Sequence, residues 1–476
     1  MNFSRRSLLE MAALSALPAS ATEKRPNIVL LLGDDHRWDA LGCMGNPVVQ
    51  TPNLDRLAGE GALFQNHFTT TPICCVSRAS IMLGEYAGGH HIYDFATPLS
   101  PSQVATAYWS QMSRAGYHTG FIGKFGVGNK MPESSFDVWM GFPGQGFYFP
   151  HGASGPHLNH IMRDQAVEFV QSAPKNKPFC LSVSFKAPHV QDEDPRQYLP
   201  SQDTEARYRN VHIPPHRGAP SSDIERFPLA FHHSESRRRW GVRFATPELY
   251  QASVKGYYRL ITGIDDVLGS LREELQRLGM AGNTIIIYSA DHGIFNGEHG
   301  FAGKWYGHEE SLRIPLIVYD PRLPGSQRGK RIEAMTLNID LQPTVLEFAG
   351  ITASGATHGR SVLPHLRNPK SEGRGVWYFE HKFPYRGWIP SSEGIRTKRW
   401  KYMRYTDVAA PYEEIYDLEK NPIETVNLAG RPEYRSQHQV LARYCQTWKQ
   451  SLATWQPGAE WTDPISQADL ERDGLT

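Results

Sequence analysis

The chain contains 476 residues, which is enough for one large domain or for two unequal ones. Its 50 lysine and arginine residues balance its 49 aspartate and glutamate residues, so the net charge is only +1. This balance argues against a nucleic-acid partner, because a nucleic-acid-binding face must neutralise many phosphates. The cysteines number five, are spread thinly and cannot all pair, which argues against a disulfide framework.

The first 21 residues have the pattern of a targeting segment. Arg5 and Arg6 precede an apolar stretch that ends in small residues at 19–21, and Glu10 interrupts this stretch. The stretch is too short to span a bilayer, so we expect no stable membrane insertion. The paired arginines favour a twin-arginine signal over a plain secretory one. We therefore predict an exported protein, periplasmic or extracellular, with a signal peptide at 1–21.

Unbroken apolar runs bounded by turn residues predict strands that are buried on both faces of a largely parallel sheet. They lie at 27–32, 179–185, 284–289 and 314–319. Helical patterns separate them, the longest from Leu249 to Leu278. This alternation predicts an α/β fold in which helices sandwich a large mixed, mostly parallel sheet.

The pattern changes near residue 366, where short alternating strands are followed by a helix. These elements lie at 394–405, 414–418 and 433–454. We predict a main domain at 22–365 and a smaller C-terminal subdomain with an antiparallel sheet at 366–476. Within the main domain, the region at 190–245 is rich in Pro, Arg and His and predicts a lid or insertion.

Polar residues follow three of the predicted strands. The first strand ends at Asp34 and Asp35, the second leads to His189, and the third leads to Asp291 and His292. Sites in open α/β sheets gather at the carboxyl ends of strands. Adjacent carboxylates also occur at ordinary turns, but two of them ionised in one pocket need a cation. Three aspartates and one histidine fit Ca²⁺ or Mg²⁺, and the histidine also tolerates a transition metal.

A second group of residues predicts a pocket for a small tetrahedral anion. Cys74 and Arg78 open a predicted helix, where the helix dipole and a cation favour negative charge. Lys124 and Lys304 each follow a glycine farther along the chain. Together with the arginine, whose planar fork suits an oxyanion, they predict a strongly positive pocket.

The residues at 74–78, Cys-Cys-Val-Ser-Arg, followed by Met-Leu-Gly at 82–84, resemble the signature of the type I sulfatases of the alkaline-phosphatase superfamily. That signature is Cys-x-Pro-Ser-Arg and then Leu-Thr-Gly. Similar blocks occur in the same order along nearly the whole chain after the signal, at 26–35, 51–55, 116–124, 177–189, 289–300, 309–315 and 415–429. The blocks at 142–148 and 297–311 resemble glucosamine-6-sulfatase-like bacterial members more than arylsulfatases proper.

The resemblance implies an alkaline-phosphatase-like fold and a sulfuric ester hydrolase that acts on an organic sulfate ester, with a sulfated carbohydrate preferred. In the family, a maturation enzyme oxidises the first cysteine of the signature to formylglycine. Its hydrate, a gem-diol, is the nucleophile that attacks sulfur. The matching residue here is Cys74.

The resemblance also implies the roles of the other site residues. The metal ligands would be Asp34, Asp35, Asp291, His292 and the modified Cys74, with Ca²⁺ favoured over Mg²⁺. Charge on the sulfate would be stabilised by Arg78, Lys124 and Lys304. The general acid beside the leaving oxygen would be His189 or Lys304.

Two positions depart from the family pattern. Val76 stands where the signature has Pro or Ala, an element that the maturation enzymes read. Gly126 stands where the family has a histidine two residues after the first lysine. The candidates to replace that histidine in space are His90, His91 and His118.

Two alternative functions stay open. The first is a phosphodiesterase or phosphonate monoester hydrolase of the same superfamily, because phosphate and sulfate esters share a tetrahedral shape. The second is a catalytically impaired protein that binds sulfated glycans, which the two departures favour. All the implied metal ligands and both lysines are present, and this completeness favours a catalyst.

Overall fold

The computed structural model describes residues 24–216, 218–353, 357–384 and 388–476. The predicted signal peptide at 1–21 lies outside these ranges. Within them, every helix is too short or too polar to cross a membrane.

The strands of the first 337 residues form one large sheet and one small hairpin. Their bounds are β1 Asn27–Gly33, β2 Ala62–Phe68, β3 His118–Lys124, β4 Val138–Phe142, β5 Phe179–Ser184, β6 Thr284–Ala290, β7 Phe295–Asn296, β8 Ala302–Gly303, β9 Arg313–Tyr319 and β10 Lys330–Leu337. The large sheet has the order β10-β2-β9-β6-β1-β5-β3-β4, and β7 pairs with β8. In the large sheet β9 runs antiparallel to its two neighbours, and the other pairs are parallel. The prediction of a mixed, mostly parallel sheet is confirmed.

Helices cover both faces of this sheet. The α-helices of the described residues up to 367 are α1 Pro52–Glu60, α2 Cys74–Leu83, α3 Ala87–His90, α4 Pro101–Thr106, α5 Tyr108–Arg114, α6 Leu158–Ser172, α7 Gln202–Glu205, α8 Glu235–Arg243, α9 Pro247–Arg277, α10 Glu309–Leu312, α11 Leu341–Phe348 and α12 Leu363–Arg367. Side chains of β1 alternate between two cores: Val29 and Leu31 pack under α6 and α9, whereas Leu30 packs under α2 and α11. An unbroken apolar strand is therefore buried on both faces, as its sequence predicts.

The C-terminal part forms a separate antiparallel sheet. Its strands are β11 Val376–His381, β12 Ser392–Thr397, β13 Trp400–Tyr405 and β14 Tyr412–Asp417, paired in chain order. The alternating segment at 394–405 is thus two strands, because the chain turns at Lys398 and Arg399. The helices α13 Arg435–Thr454 and α14 Gln467–Arg472 follow, and α13 packs on this sheet. The predicted antiparallel sheet and the helix near 433–454 are both confirmed.

The region at 190–245 contains little regular structure. Among its described residues it holds α7, α8 and two 3-10 helices at Ser221–Arg226 and Leu229–His233. Helix α8 lies against β8, close to the loop that carries Lys304.

Candidate active site

Four consecutive strands bring the predicted polar residues to one edge of the large sheet. The strands β6, β1, β5 and β3 are neighbours and run in the same direction, so their carboxyl ends meet. The residues at or just after these ends are Asp291 and His292, Asp34 and Asp35, His189, and Lys124. The convergence expected from the three strand ends is confirmed, and β3 adds a fourth.

Cys74 lies at the centre of this group. It is the first residue of α2, a helix whose ten residues are all buried. Its thiol donates to Asp34 Oδ1 at 3.4 Å. Its Sγ also lies 3.3 Å from His292 Nε2 and accepts a hydrogen bond from Lys304 Nζ at 3.4 Å. The cysteine is thus buried among a carboxylate, an imidazole and an ammonium group.

Four of the predicted metal ligands form a compact cluster. One ligand atom each from Asp34, Asp35, Cys74 and His292 lies within 4.8 Å of all the others, and all four residues are buried. Asp291 is adjacent but is differently placed, because its Oδ1 accepts from the backbone N–H groups of Asp35 and His292 at 3.2 and 2.9 Å. The described residues therefore offer a group that could hold a metal ion.

Arg78 is fully buried and links the two carboxylates on either side of Cys74. Its Nε donates to Asp291 Oδ2 at 2.9 Å, and its Nη2 donates to Asp34 Oδ2 at 3.3 Å. Its Nη1 donates to the carbonyl oxygen of Lys124 at 2.8 Å and to the Ser184 hydroxyl. These contacts at the ends of β3 and β5 hold the guanidinium in one orientation.

The two predicted lysines approach the same carboxylates from other sides. The Lys124 ammonium is hydrogen-bonded to Asp34 Oδ2, and it also donates to Gln145 Oε1 at 2.6 Å. The Lys304 ammonium donates to Asp35 Oδ1 at 2.7 Å. Positive charge thus surrounds the two acidic side chains and the thiol.

These charges move the pKa values of the buried groups. Burial alone would raise the pKa of Asp34, but attraction by Lys124, His189, Arg78 and Lys304 outweighs burial and lowers it well below its usual value. Burial would lower the pKa of His292, but the negative charge of Asp291 outweighs it and raises the value to about 9. The site therefore keeps its carboxylate ionised.

His189 is held in place by backbone groups. Its Nδ1 lies 2.6 Å from the carbonyl oxygen of Val190, and its own carbonyl accepts from the Tyr148 hydroxyl at 2.5 Å. Its Nε2 points towards Asp35, with 3.7 Å to Oδ2. Burial, followed by repulsion from Lys304, lowers the pKa of His189 well below its usual value.

The structure shows the surroundings of the two departures. Val76 is buried with Trp305 and Ile389 in a small apolar cluster beside the cysteine. At Gly126, with φ +73°, an added Cβ would lie 2.7 Å from Arg78 Cδ, so a side chain there would displace the arginine. A histidine at this position would require the Arg78 side chain to move.

The three histidines considered as replacements for the missing one do not contact the cluster among the described residues. His90 is hydrogen-bonded through Nε2 to the Ser80 hydroxyl at 3.0 Å, and His91 is exposed. His118 begins β3, at the opposite end of the strand from Lys124, and stacks on Phe169. The expectation for His118 is wrong, because parallel strands carry their first residues to the other edge of the sheet.

Sequence reasoning missed two residues near the centre. Lys186 is 1% exposed, donates to the Val190 carbonyl at 3.1 Å and lies over the Tyr148 ring. Burial, followed by repulsion from Lys124, lowers the pKa of Lys186 to about 8. Gln145 lies in the block at 142–148 that resembles the sulfatases, but nothing in that block predicts its contact with Lys124. Their places in the sequence could have indicated both residues. Lys186 precedes His189 by three residues, and Gln145 lies between two glycines.

The family model for sulfatases matches residues 26–351, which include every site residue described above. A second model, for the C-terminal region of N-sulphoglucosamine sulphohydrolase, matches residues 297–450. The fold is that of the alkaline-phosphatase superfamily, and the chain belongs to the sulfatase family. It is therefore a sulfatase.

Known relatives cover most of the chain. An N-acetylglucosamine-6-O-sulfatase of Bacteroides thetaiotaomicron is 27% identical over 93% of this chain and 90% of its own length. A solved structure of a protein with its substrate, D-glucosamine-2-N,6-O-disulfate, has a TM-score of 0.77 and 26% identity, over 89% of this chain and 97% of that one. The phosphonate monoester hydrolase of Agrobacterium radiobacter has a TM-score of 0.69 and 22% identity, over 88% of this chain and 94% of that one, and shares the fold.

Proposed function

We propose that this protein removes sulfate from a sulfated sugar, with Cys74 in its formylglycine form and with a bound Ca²⁺ ion. The observation that carries the proposal is the position of Cys74 Sγ, which lies 3.3–3.4 Å from Asp34, His292 and Lys304. The sugar substrate is supported by the N-acetylglucosamine-6-O-sulfatase and by the glucosamine disulfate complex among the relatives.

The donor set fits a hard cation once the cysteine is modified. Asp34 and Asp35 bring carboxylate oxygens, and modification of Cys74 would replace its sulfur with oxygen, which Ca²⁺ prefers. His292 completes the proposed set, with Asp291 beside it. When bound, the cation would balance the buried carboxylates and polarise the sulfate, and the hydrated formylglycine would supply the nucleophilic oxygen.

The positive side chains bind and orient the sulfate in this proposal. Arg78 and Lys124 are held on the Asp34 side, and Lys304 is held on the Asp35 side, so the sulfate oxygens would meet cations from two directions. Because these groups are buried and fixed by hydrogen bonds, they need little reorganisation as charge develops. They would stabilise the negative charge of the transition state more than that of the bound ester.

The leaving alcohol needs a proton, and two residues could supply it. Lys304 Nζ lies 3.4 Å from Cys74 Sγ. Burial would lower the pKa of Lys304, but attraction to Asp35 outweighs burial and raises it, so the ammonium group is protonated at neutral pH. His189 lies farther out, on the Asp35 side. We assign the proton donor to Lys304, because the lowered pKa of His189 leaves its imidazole neutral at neutral pH. His189 is the second candidate, and it would first have to gain a proton at Nε2.

We further propose that the chain is exported by way of residues 1–21 and that a formylglycine-generating enzyme modifies Cys74. In this proposal residues 22–365 form the catalytic domain, with a lid at 190–245, and residues 366–476 form the C-terminal subdomain. Maturation must precede folding of α2, because Cys74 and its neighbours are buried in the folded chain.

Mass spectrometry of protein from a native-like host tests the nucleophile directly. The tryptic peptide at 57–78 carries both Cys74 and Cys75. Conversion of Cys74 to formylglycine lowers its mass by about 18 Da and leaves one thiol. An unmodified peptide with two thiols, from an active preparation, would contradict the proposal.

The alternative reaction is hydrolysis of a phosphonate monoester or phosphodiester. It is favoured by the shared fold of the phosphonate monoester hydrolase and by a positive pocket that suits either tetrahedral anion. The ratio of kcat/KM for an aryl sulfate to that for an aryl phosphonate separates the two. We expect the ratio to exceed one, and a ratio far below one would reassign the enzyme.

A further inference from the structure

A cavity of about 860 Å³ opens beside the charged centre, between the end of β4, the loop at 143–151 and α6. This volume is typical of sites for small molecules. Its apolar walls include Trp139, Met140, Phe142, Phe147 and Ile161. Phe147 is 60% exposed, so a large apolar ring faces solvent at this cavity. Such a ring can contact the apolar C–H face of a sugar.

Gln145 joins this cavity to the charged centre. It lines the cavity, and its Oε1 accepts from Lys124 Nζ at 2.6 Å. Gly144 and Gly146 have φ values of +62° and +65°, a conformation that glycine adopts readily and other residues rarely do. The chain therefore turns sharply on both sides of the glutamine and carries its amide to the lysine.

A second connection ties the cavity loop to the loop of His189. The backbone N–H of Tyr148 donates to Gln191 Oε1 at 3.1 Å, and the Tyr148 hydroxyl donates to the His189 carbonyl at 2.5 Å. The cavity and the charged centre thus share Gln145 and are braced by the same tyrosine. Because Gln145 lines the cavity and contacts Lys124, the cavity adjoins the side of the centre on which this lysine lies.

The charge of the cavity differs from that of the centre. Among the described residues, its lining contains no lysine or arginine, and it contains the carboxylate of Glu193. Its remaining polar groups are Gln145, His151 and Gln165. Amide and carboxylate groups can bond sugar hydroxyls. A second sulfate or a uronate would meet no lysine or arginine there, and would meet repulsion from Glu193.

We propose that this cavity binds the sugar ring of the ester and selects a ring that carries no anionic group besides the scissile sulfate. The proposal rests on the sulfatase function proposed above and specifies its substrate class. The charged centre then binds the sulfate through its positive side chains. The neighbouring cavity binds the sugar ring by its shape and favours a ring without a second anionic group.

Calorimetry with the Cys74→Ala protein tests the proposal without turnover. The two probes are N-acetylglucosamine 6-sulfate and glucosamine 2-N,6-O-disulfate, which carry an uncharged acetyl group and an anionic sulfo group, respectively, on the same nitrogen. We expect the monosulfate to bind more tightly, by about tenfold, and the additional substitution Glu193→Gln to narrow the difference. Equal binding, tighter binding of the disulfate, or binding of neither probe at millimolar concentration would overturn the proposal.

Substitutions of the cavity wall provide the second arm. Phe147→Ala should weaken binding of the monosulfate by about fivefold, because an exposed stacking surface is lost. Ile161→Trp should weaken it further by filling the cavity. The matched control is Leu229→Ala, at an apolar side chain that is 73% exposed and outside the cavity lining, and it should bind as the parent does.

Unchanged affinity in the Phe147 and Ile161 variants would contradict the sugar site while leaving the sulfatase function standing. Failure of the function itself appears elsewhere, as wild-type protein that hydrolyses no sulfate ester, including a simple aryl sulfate. The two failures are therefore distinguishable.

Discussion

Two of the clusters of charged side chains that the described part of the chain buries differ in a way that shows what identifies a site. The first is the charged centre around Cys74. The second, called here the junction network, lies between the 3-10 helix at 221–226 and the C-terminal sheet. Its main members are Asp223, Arg226, His299, Lys401, Glu414 and Glu424.

The two clusters differ in how their charges are matched. In the junction network, Arg226 Nη1 lies 2.5 Å from Glu414 Oε1, and Lys401 Nζ lies 2.7 Å from Glu424 Oε1. Hydroxyl groups of Tyr405 and Tyr416 fill other positions on Glu414, at 2.9 and 2.6 Å. Opposite charges from distant segments are thus tied together, which is a structural arrangement.

In the charged centre, by contrast, several cations share the same carboxylates around Cys74. Asp34 Oδ2 accepts from both Arg78 and Lys124, and its Oδ1 faces the thiol of Cys74. Burial of charge alone therefore does not distinguish the two clusters. The difference is the convergence of like charges on the proposed nucleophile, Cys74, at the carboxyl edge of the sheet.

The largest expected effect is loss of activity without loss of fold. Cys74→Ala should lower kcat by more than about 10³-fold, because the proposed nucleophile is removed. The melting temperature should change little, since the side chain becomes only slightly smaller. The matched control is Cys75→Ala, at the equally buried neighbour, which should retain activity within a few-fold. A Cys74→Ala protein that turns over normally would remove the centre from the chemistry.

The junction network should show the opposite behaviour. Glu414→Gln removes the more buried of the two carboxylates that pair with Arg226 and leaves Asp223 in place. It should lower the free energy of unfolding by about 1–3 kcal/mol, measured by urea denaturation. The activity per folded molecule should be unchanged. Glu419→Gln, at a side chain that is 71% exposed, is the control and should change stability by less than about 0.5 kcal/mol. Selective loss of activity in Glu414→Gln would mean that the two clusters are coupled.

Removal of calcium should weaken the charged centre alone. Chelation should abolish hydrolysis of an aryl sulfate, and added Ca²⁺ should restore it. At a concentration a hundredfold above its dissociation constant, Ca²⁺ should stabilise the folded chain by about 2.7 kcal/mol, seen as a higher melting temperature. The gain should disappear in Asp35→Asn, whereas Glu414→Gln should keep it. If the melting temperature of the wild-type protein did not change on addition of Ca²⁺, the proposed calcium site would be contradicted.

The smallest expected effect is a dependence of stability on pH from the junction network. Burial would lower the pKa of His299, but its hydrogen bond to Asp223 outweighs burial and raises the value to about 9, above the usual 6.5. A raised folded-state value stabilises the fold fully below pH 6.5, and this contribution is lost as the pH rises through 9.

Between pH 7 and pH 8.5 we therefore expect a loss of about 2 kcal/mol in the free energy of unfolding, followed by urea titration. His299→Gln removes one titrating group and should make the curve shallower over this interval; the slope that remains is that of His292, whose folded-state pKa is also raised to about 9. An equally steep curve in that variant would assign the pH dependence to another residue.

The amino-acid sequence by itself determined the class of fold and the members of the charged centre. Unbroken apolar runs such as 27–32 can be buried only within a parallel sheet covered on both faces, and the polar residues that follow them must then share an edge. The resemblance at 74–78 added the position of the cysteine. These inferences use only neighbouring residues in the sequence and the direction of the strands, so they require no knowledge of distances between side chains.

Only the tertiary structure decided which distant groups meet. It separated His118 from the centre, because a strand carries its two ends to opposite edges of a sheet. It set Gln145 against Lys124 and Glu193 in the neighbouring cavity, a set of contacts fixed by loop conformation and by the backbone angles of two glycines. Loop conformation depends on packing between segments far apart in the chain, and neither periodicity nor a motif records it.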